Sequence, residues 1–267
     1  MNDPGRLEES RAHRILWFLE ELKIPYKLQS FKLDSDKLSP KTLKIYPSIW
    51  KVTDFLAESG FIAEHLCGHF SGVPLIPKWF ADAGKDAGVG SEAQGWPWYR
   101  YYMHYTEGSL VPTLVMKVVA SMLRTAPPVF IRGLFSFVAS KIETNFLDRN
   151  FVDHFDLLEN QLRSALGGGP FLTGQKLTIA DILMSYPVVE SMTRVVGVQK
   201  GVKAGRYPLL SAYAARLQEY EGYERASAKI ITIDGYFKAC LENHLQWNPY
   251  ILAKGEIASR DAGAGPQ

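Results

Sequence analysis

The sequence predicts two modules in series, a small α/β module followed by an all-helical one. Three observations carry this. Before about residue 70, a helix-period stretch is followed by an alternating one and then by helix again. Residues 73–97 are rich in glycine, proline and small or charged side chains, the composition of a linker. Beyond them every long stretch repeats its apolar residues at helical spacing. The expected division is therefore 1–72, a 73–97 linker, an all-helical 98–228, and a 229–267 extension that is partly disordered. At 267 residues, 46% hydrophobic and 22% charged, the chain has enough apolar surface to bury one or two cores.

Taken in order, Ser10–Leu22 puts Ile15, Leu16, Phe18, Leu19 and Leu22 on one helical face, with Ser10 placed as the cap. His13 and Arg14 read as its solvated side. Ile24–Leu33 alternates apolar with polar residues after Pro25, as a half-buried strand does. Leu56–His69 is a second helix, with Glu58 and Ser59 in its first turn. Further helices are expected over Pro97–Leu123, Pro128–Phe146, Phe151–Leu166, Thr178–Val195 and Leu209–Ala228. Leu177, Thr178 and Asp181 precede an apolar run as a capping box with its hydrophobic staple, so Thr178 and Asp181 are assigned to structure.

Composition excludes several classes of function. Thirty basic against 28 acidic side chains give +2, no general field for nucleic acid. Cys67 and Cys240 are far apart and lack metal-ligand spacing, so neither a disulfide framework nor a metal is expected, and a reducing cytoplasmic location fits. The opening MNDPGRLEES is acidic where a secretion signal would be basic and apolar. The apolar tracts 110–123 and 129–142 are broken by Lys117, Arg124, Pro127, Pro128 and Arg132, so no stable membrane insertion is expected. Their cationic, apolar character leaves interfacial attachment as the lesser reading.

The helix Pro97–Leu123 concentrates Trp98, Tyr101, Tyr102, His104 and Tyr105, then Gly108 and Pro112, then Met116 and Met122. Such a surface lines a pocket for a large apolar ligand, or else forms core or dimer interface; aromatic side chains dominate all three.

Taken together, ESRAHRILWFLEEL, LAESGFIAEHL, RYYMHYTEGSLVPTLVMK, FLTGQKLTIADILMSYP and RYPLLSAYAARLQEYEGYERA resemble the cytosolic glutathione S-transferases of the fungal type, over roughly residues 7 to 228. The resemblance implies a thioredoxin-like N-terminal domain, here reduced, ahead of a helical substrate-binding bundle. It implies glutathione as co-substrate, a homodimer and an apolar small-molecule substrate. By the family pattern, Glu58 and Ser59 hold the γ-glutamyl end of glutathione, and Ser10 hydrogen-bonds its sulfur near Arg11. Ser10 also reads equally well as a plain helix cap, and the Glu58–Ser59 pair as cap and dipole partner. Lys51 or Lys44 is placed to meet the glycine carboxylate.

Two departures from the family pattern are visible. MNDPGRLEE carries almost no β pattern where a first strand is expected, and Pro47-Ser48-Ile49-Trp50-Lys51-Val52 lacks the Ser-Pro step that pairs with the cysteinyl backbone. The glutathione clamp is thus expected to be weakened. The leading function is conjugation of glutathione to an apolar electrophile, in keeping with specialised metabolism. The alternatives are a glutathione-independent lyase, isomerase or cyclase using Tyr and His as proton donors and acceptors, or a non-catalytic binding protein.

Overall fold

The computed structural model describes residues 12–28, 58–70, 75–80, 88–194 and 205–234. The chain divides into two compact units, one formed by Met1–Val73 with Gln218–Gln267, the other by Pro74–Leu217.

The described part of the first unit is three helices: α1 (Ala12–Glu21), α2 (Ser59–His69) and α9 (Glu221–Asp234). Helix α1 buries Leu16, Trp17 and Phe18, and it also buries His13 and Arg14, which the sequence placed on a solvated face. The Arg14 guanidinium lies against Ser59 at the start of α2, and His13 is covered by α9, which packs along α1 and holds the imidazole at Tyr223 and Ser227. The two backbones approach closely because residue 222 is glycine: a Cβ there would lie 2.2 Å from Glu21 Oε1 and 2.7 Å from the Trp17 ring. Glu20 then accepts from Arg225 at 3.0 Å and from Lys229 and Tyr26 at 2.5 Å each. Residues 24–28, the described part of the expected strand, have no regular secondary structure, and among the described residues no neighbouring strand is present to pair with them.

The second unit holds α3 (Gly95–Tyr105), α4 (Val111–Thr125), α5 (Val129–Ile142), α6 (Asp148–Arg163), α7 (Ile179–Arg194) and α8 (Pro208–Gln218). Helices α3 and α4 are one run joined by a π-helical turn, Thr106–Leu110, in which Val111 N–H reaches Thr106 C=O. Pro112 explains its place. It has no N–H to give the Gly108 carbonyl and its ring would crowd that oxygen, a conflict the wider turn relieves.

A second π turn, Glu143–Leu147, joins α5 to α6 where the sequence predicted a break near 147–150. That stretch, Leu-Asp-Arg-Asn, contains no glycine or proline to stop a helix. Conversely the expected single helix Leu209–Ala228 is two. Helix α8 stops at Gln218, and α9 starts afresh at Glu221 with Glu221 and Glu224 facing its positive end.

Helix α7 is the axis of the second unit, with Ile179, Ile182, Leu183, Met184 and Val188 fully buried. Its start is fixed by Asp181. One carboxylate oxygen accepts from Thr178 N–H at 2.9 Å and Thr178 Oγ1 at 2.7 Å, the other from Leu172 N–H at 3.1 Å and Tyr213 O–H at 2.9 Å. Burial holds this carboxyl above its ordinary value, against the pull of the four donors. Four donors saturate a carboxylate's acceptor positions and leave no place for an acid proton, so the group is ionised. The start of α8 is capped from a distance, with Glu159 on α6 accepting from Leu209 N–H and Leu210 N–H.

Candidate functional site

In the first unit the site residues gather at the start of α2. Glu58 is the residue that precedes the helix, and its φ of 68° and ψ of 112° lie outside the regions a residue with a side chain ordinarily occupies. Holding it there costs on the order of 1–3 kcal/mol, strain that clusters at ligand clamps. Glu58 makes no side-chain cap, so the first-turn N–H groups keep their partial positive charge available. Ser59 is the first helical residue rather than the cap, and its Oγ lies 3.5 Å from Nη2 of Arg14. Arg14 is 0% exposed. A buried guanidinium behind an uncapped helix start is an environment for an anion. Ser10, Arg11 and Lys51, together with Lys44, lie outside the described residues.

Two other titratable groups of this unit fall out of consideration as catalysts. His13 donates from Nε2 to Ser227 Oγ at 3.0 Å and Tyr223 C=O at 3.3 Å, and burial, with Arg14 beside it, lowers its pKa to about 4. It is a neutral, tied imidazole. Cys67 is a free thiol pushed up by burial to about 11, so it is not a thiolate at neutral pH.

In the second unit the aromatic helix divides its candidates between two faces. Tyr102 and Tyr105 turn inward, whereas Tyr101, His104 and Met116 are exposed. The three tyrosine rings touch, Tyr101 stacked on Tyr105 at 5.5 Å and edge-on to Tyr102 at 5.0 Å. His104 points away, 3.4 Å from Arg100, and Met116 lies on α4 beyond the π turn. The Tyr102 hydroxyl is buried without a hydrogen-bond partner among the described residues. An orphaned buried hydroxyl costs about 1–3 kcal/mol, so Tyr102→Phe is expected to raise stability by about 1 kcal/mol, read as a higher Tm. A lower Tm would show that the hydroxyl has a partner.

His154, on α6, was missed in the sequence, although its place among Phe151, Phe155 and Leu158 on a buried face sets it apart from a surface histidine. Its Nδ1 is 2.5 Å from Tyr105 Oη and its Nε2 is 3.2 Å from Thr113 Oγ1. Thr113 spends its only hydroxyl proton on the Ser109 carbonyl at 3.0 Å, so it must accept from His154 Nε2–H, and Nδ1 therefore accepts from Tyr105. The π turn makes this possible. Residues 105 and 113 would stand about 80° apart on a regular helix, and absorbing one extra residue brings them within about 20°. Burial lowers the His154 pKa against the pull of Asp153, and burial raises that of Tyr105. Among the described residues no cluster of His, Cys, Asp and Glu has the makings of a metal site.

Known proteins are similar to this chain over much of its length. The family model for the glutathione S-transferase C-terminal domain matches residues 135–222. Glutathione S-transferase 1 of Saccharomyces cerevisiae is 28% identical over 244 residues, 86% of this chain and 96% of its own. A glutathione S-transferase structure from Actinobacillus pleuropneumoniae superposes with a TM-score of 0.57 at 20% identity, covering 87% of this chain and 92% of that one. A Phanerochaete chrysosporium glutathione transferase in complex with oxidized glutathione gives 0.55 at 16%, covering 84% and 92%. The fold is that of the glutathione transferases, and the helical bundle of the second unit corresponds to their C-terminal domain. The chain thus carries the glutathione S-transferase C-terminal domain over residues 135–222 and is similar over most of its length to glutathione S-transferases.

Proposed function

We propose that this chain is a fungal-type, glutathione-dependent transferase acting on an apolar electrophile, working as a cytoplasmic homodimer in specialised metabolism. The observation that supports it best is the uncapped start of α2, with Glu58 held in a strained conformation and Ser59 backed by buried Arg14. The γ-glutamyl carboxylate meets the free N–H groups and Ser59, and its ammonium meets Glu58. Ser10, assisted by Arg11, stabilises the thiolate, and Lys51 meets the glycine carboxylate. The thiolate then forms a C–S bond with an enone, epoxide or quinone-like carbon; the displaced electron pair goes to the oxygen, which takes up a proton. Tyr101, backed by the buried rings of Tyr102 and Tyr105, supplies the exposed aromatic surface for the substrate.

The test is a calorimetric titration with glutathione. Binding in the millimolar range is expected, because the Ser48–Val52 stretch lacks the proline step that would add backbone hydrogen bonds. Glu58→Ala is expected to weaken it by about tenfold or more, the size of a charge-assisted hydrogen bond, and Ser59→Ala by less. Ser10→Ala is expected to lower conjugation while leaving affinity nearly unchanged, since it acts on the reacting sulfur alone. No binding at millimolar glutathione, or a Glu58→Ala variant of unchanged affinity, removes this reading.

A second reading rests on the Tyr105–His154–Thr113 relay, which orders a proton donor and acceptor without any thiol. It describes a lyase, isomerase or cyclase, and turnover in the absence of thiol would favour it.

A further inference from the structure

We propose that the α4–α5 hairpin docks on an anionic lipid surface, its apolar side chains seated at the headgroup boundary. Helix α5 is the most apolar of the helices, yet among the described residues it packs closely only on α4 and the π turn that follows it. Phe130, Leu134 and Phe137, at helical spacing, are exposed by 87%, 65% and 61%, and Val129 at the helix start by 79%. Val115, Val119 and Met122 form a second exposed stripe on α4. Single exposed apolar residues are ordinary, but a run of this size marks an interaction surface.

Charge identifies the occupant. From Gly108 to Ile142 there is no aspartate or glutamate, while Lys117, Arg124, Arg132 and Lys141 give +4. The chain as a whole carries +2, so everything outside this segment carries −2. Lys117 and Arg124 are drawn to Glu143 at the hairpin's base. Arg132 and Lys141 meet no carboxylate among the described residues. Arg132 donates to the Pro127 carbonyl, and the Lys141 ammonium lies 5.6 Å from the Phe137 ring centre.

A second copy of this face would bring the same cations and no acid to answer them. An anionic bilayer answers both features at once, taking the apolar side chains and pairing the cations that flank them. The mode is peripheral. Helix α5, with 14 residues, is about 21 Å long, short of the roughly 30 Å hydrocarbon thickness, and no described helix is long and apolar enough to cross a membrane.

The experiment is co-sedimentation of the full chain with phosphatidylcholine vesicles, with and without phosphatidylserine, at low and high salt. Binding is expected to the phosphatidylserine vesicles, to fall with salt, and to be weak on phosphatidylcholine alone. Replacing Arg132→Gln with Lys141→Gln is expected to lower affinity about fivefold per charge, about 25-fold together. Phe130→Asp with Leu134→Asp is expected to abolish binding while leaving the thermal melt unchanged, since both side chains are exposed. Failure to sediment with phosphatidylserine vesicles overturns the proposal, as does equal binding to both vesicle types or unchanged binding by the aspartate variant. If vesicles are ignored and light scattering shows a dimer that the aspartate variant dissolves, the face belongs to a second copy of the chain.

Discussion

Asp181→Ala is expected to destabilise the protein by about 3–5 kcal/mol, the cost of deleting one partner from a buried charged network. The sequence alone supports a smaller figure of about 1–2 kcal/mol, because a capping box accounts for a single helix start. The structure adds two further attachments. The same carboxylate holds Leu172 N–H in the turn before α7 and the Tyr213 hydroxyl on α8. Removing it strands four buried donors, the Leu172 and Thr178 amides and the Thr178 and Tyr213 hydroxyls, all far from water. Asp181→Asn separates charge from geometry: an amide keeps one acceptor and puts an NH2 against donors, so it is expected to lose nearly as much. Urea midpoints read both, and a loss under 1 kcal/mol for the alanine variant would return Asp181 to the role of a simple cap.

That comparison shows what a single sequence can carry. The cap was legible because its parts are three residues apart, and its alphabet of Thr, Asp and an apolar run is local. Tyr213 was not legible, since nothing in residues 178–181 names a partner on a helix some thirty positions on. The same limit governs the helix ends. The break between α8 and α9 and the merger of α5 with α6 turn on tertiary packing, with Gly222 against Trp17 in the first case and no stop signal in the second. At the site, Glu58 and Ser59 were found through a motif, whereas Arg14 reads as solvated because its neighbour Ser59 lies 45 residues away in sequence. His154 carries its role only because a π turn rotates Tyr105 and Thr113 into line, and the one local sign of that turn is Pro112, just beyond it.

Lowering the pH from 7.5 to 4.5 is expected to destabilise the native state steeply, with His13 as a principal cause. In the unfolded chain an imidazole takes a proton near pH 6.5, whereas in the folded protein burial, with Arg14 beside it, depresses the pKa to about 4. Between those values the unfolded state binds more protons, so stability falls as pH falls. Above 6.5 both states are neutral and the effect is absent; below about 4 both are charged and the loss is complete, on the order of 3 kcal/mol. The carbonyl of Tyr223, which accepts from His13, pulls the other way but does not outweigh burial. His154 shifts in the same direction, so total slope alone does not assign the effect. A His13→Asn variant does. It keeps a donor for Tyr223 and Ser227 without titrating, and its unfolding free energy is expected to lose about 1.4 kcal/mol less per pH unit than the wild type between pH 6.5 and 4. Parallel pH profiles for the two proteins would mean that the space between α1 and α9 opens to admit the imidazolium, and that this helix pair is looser than its packing implies.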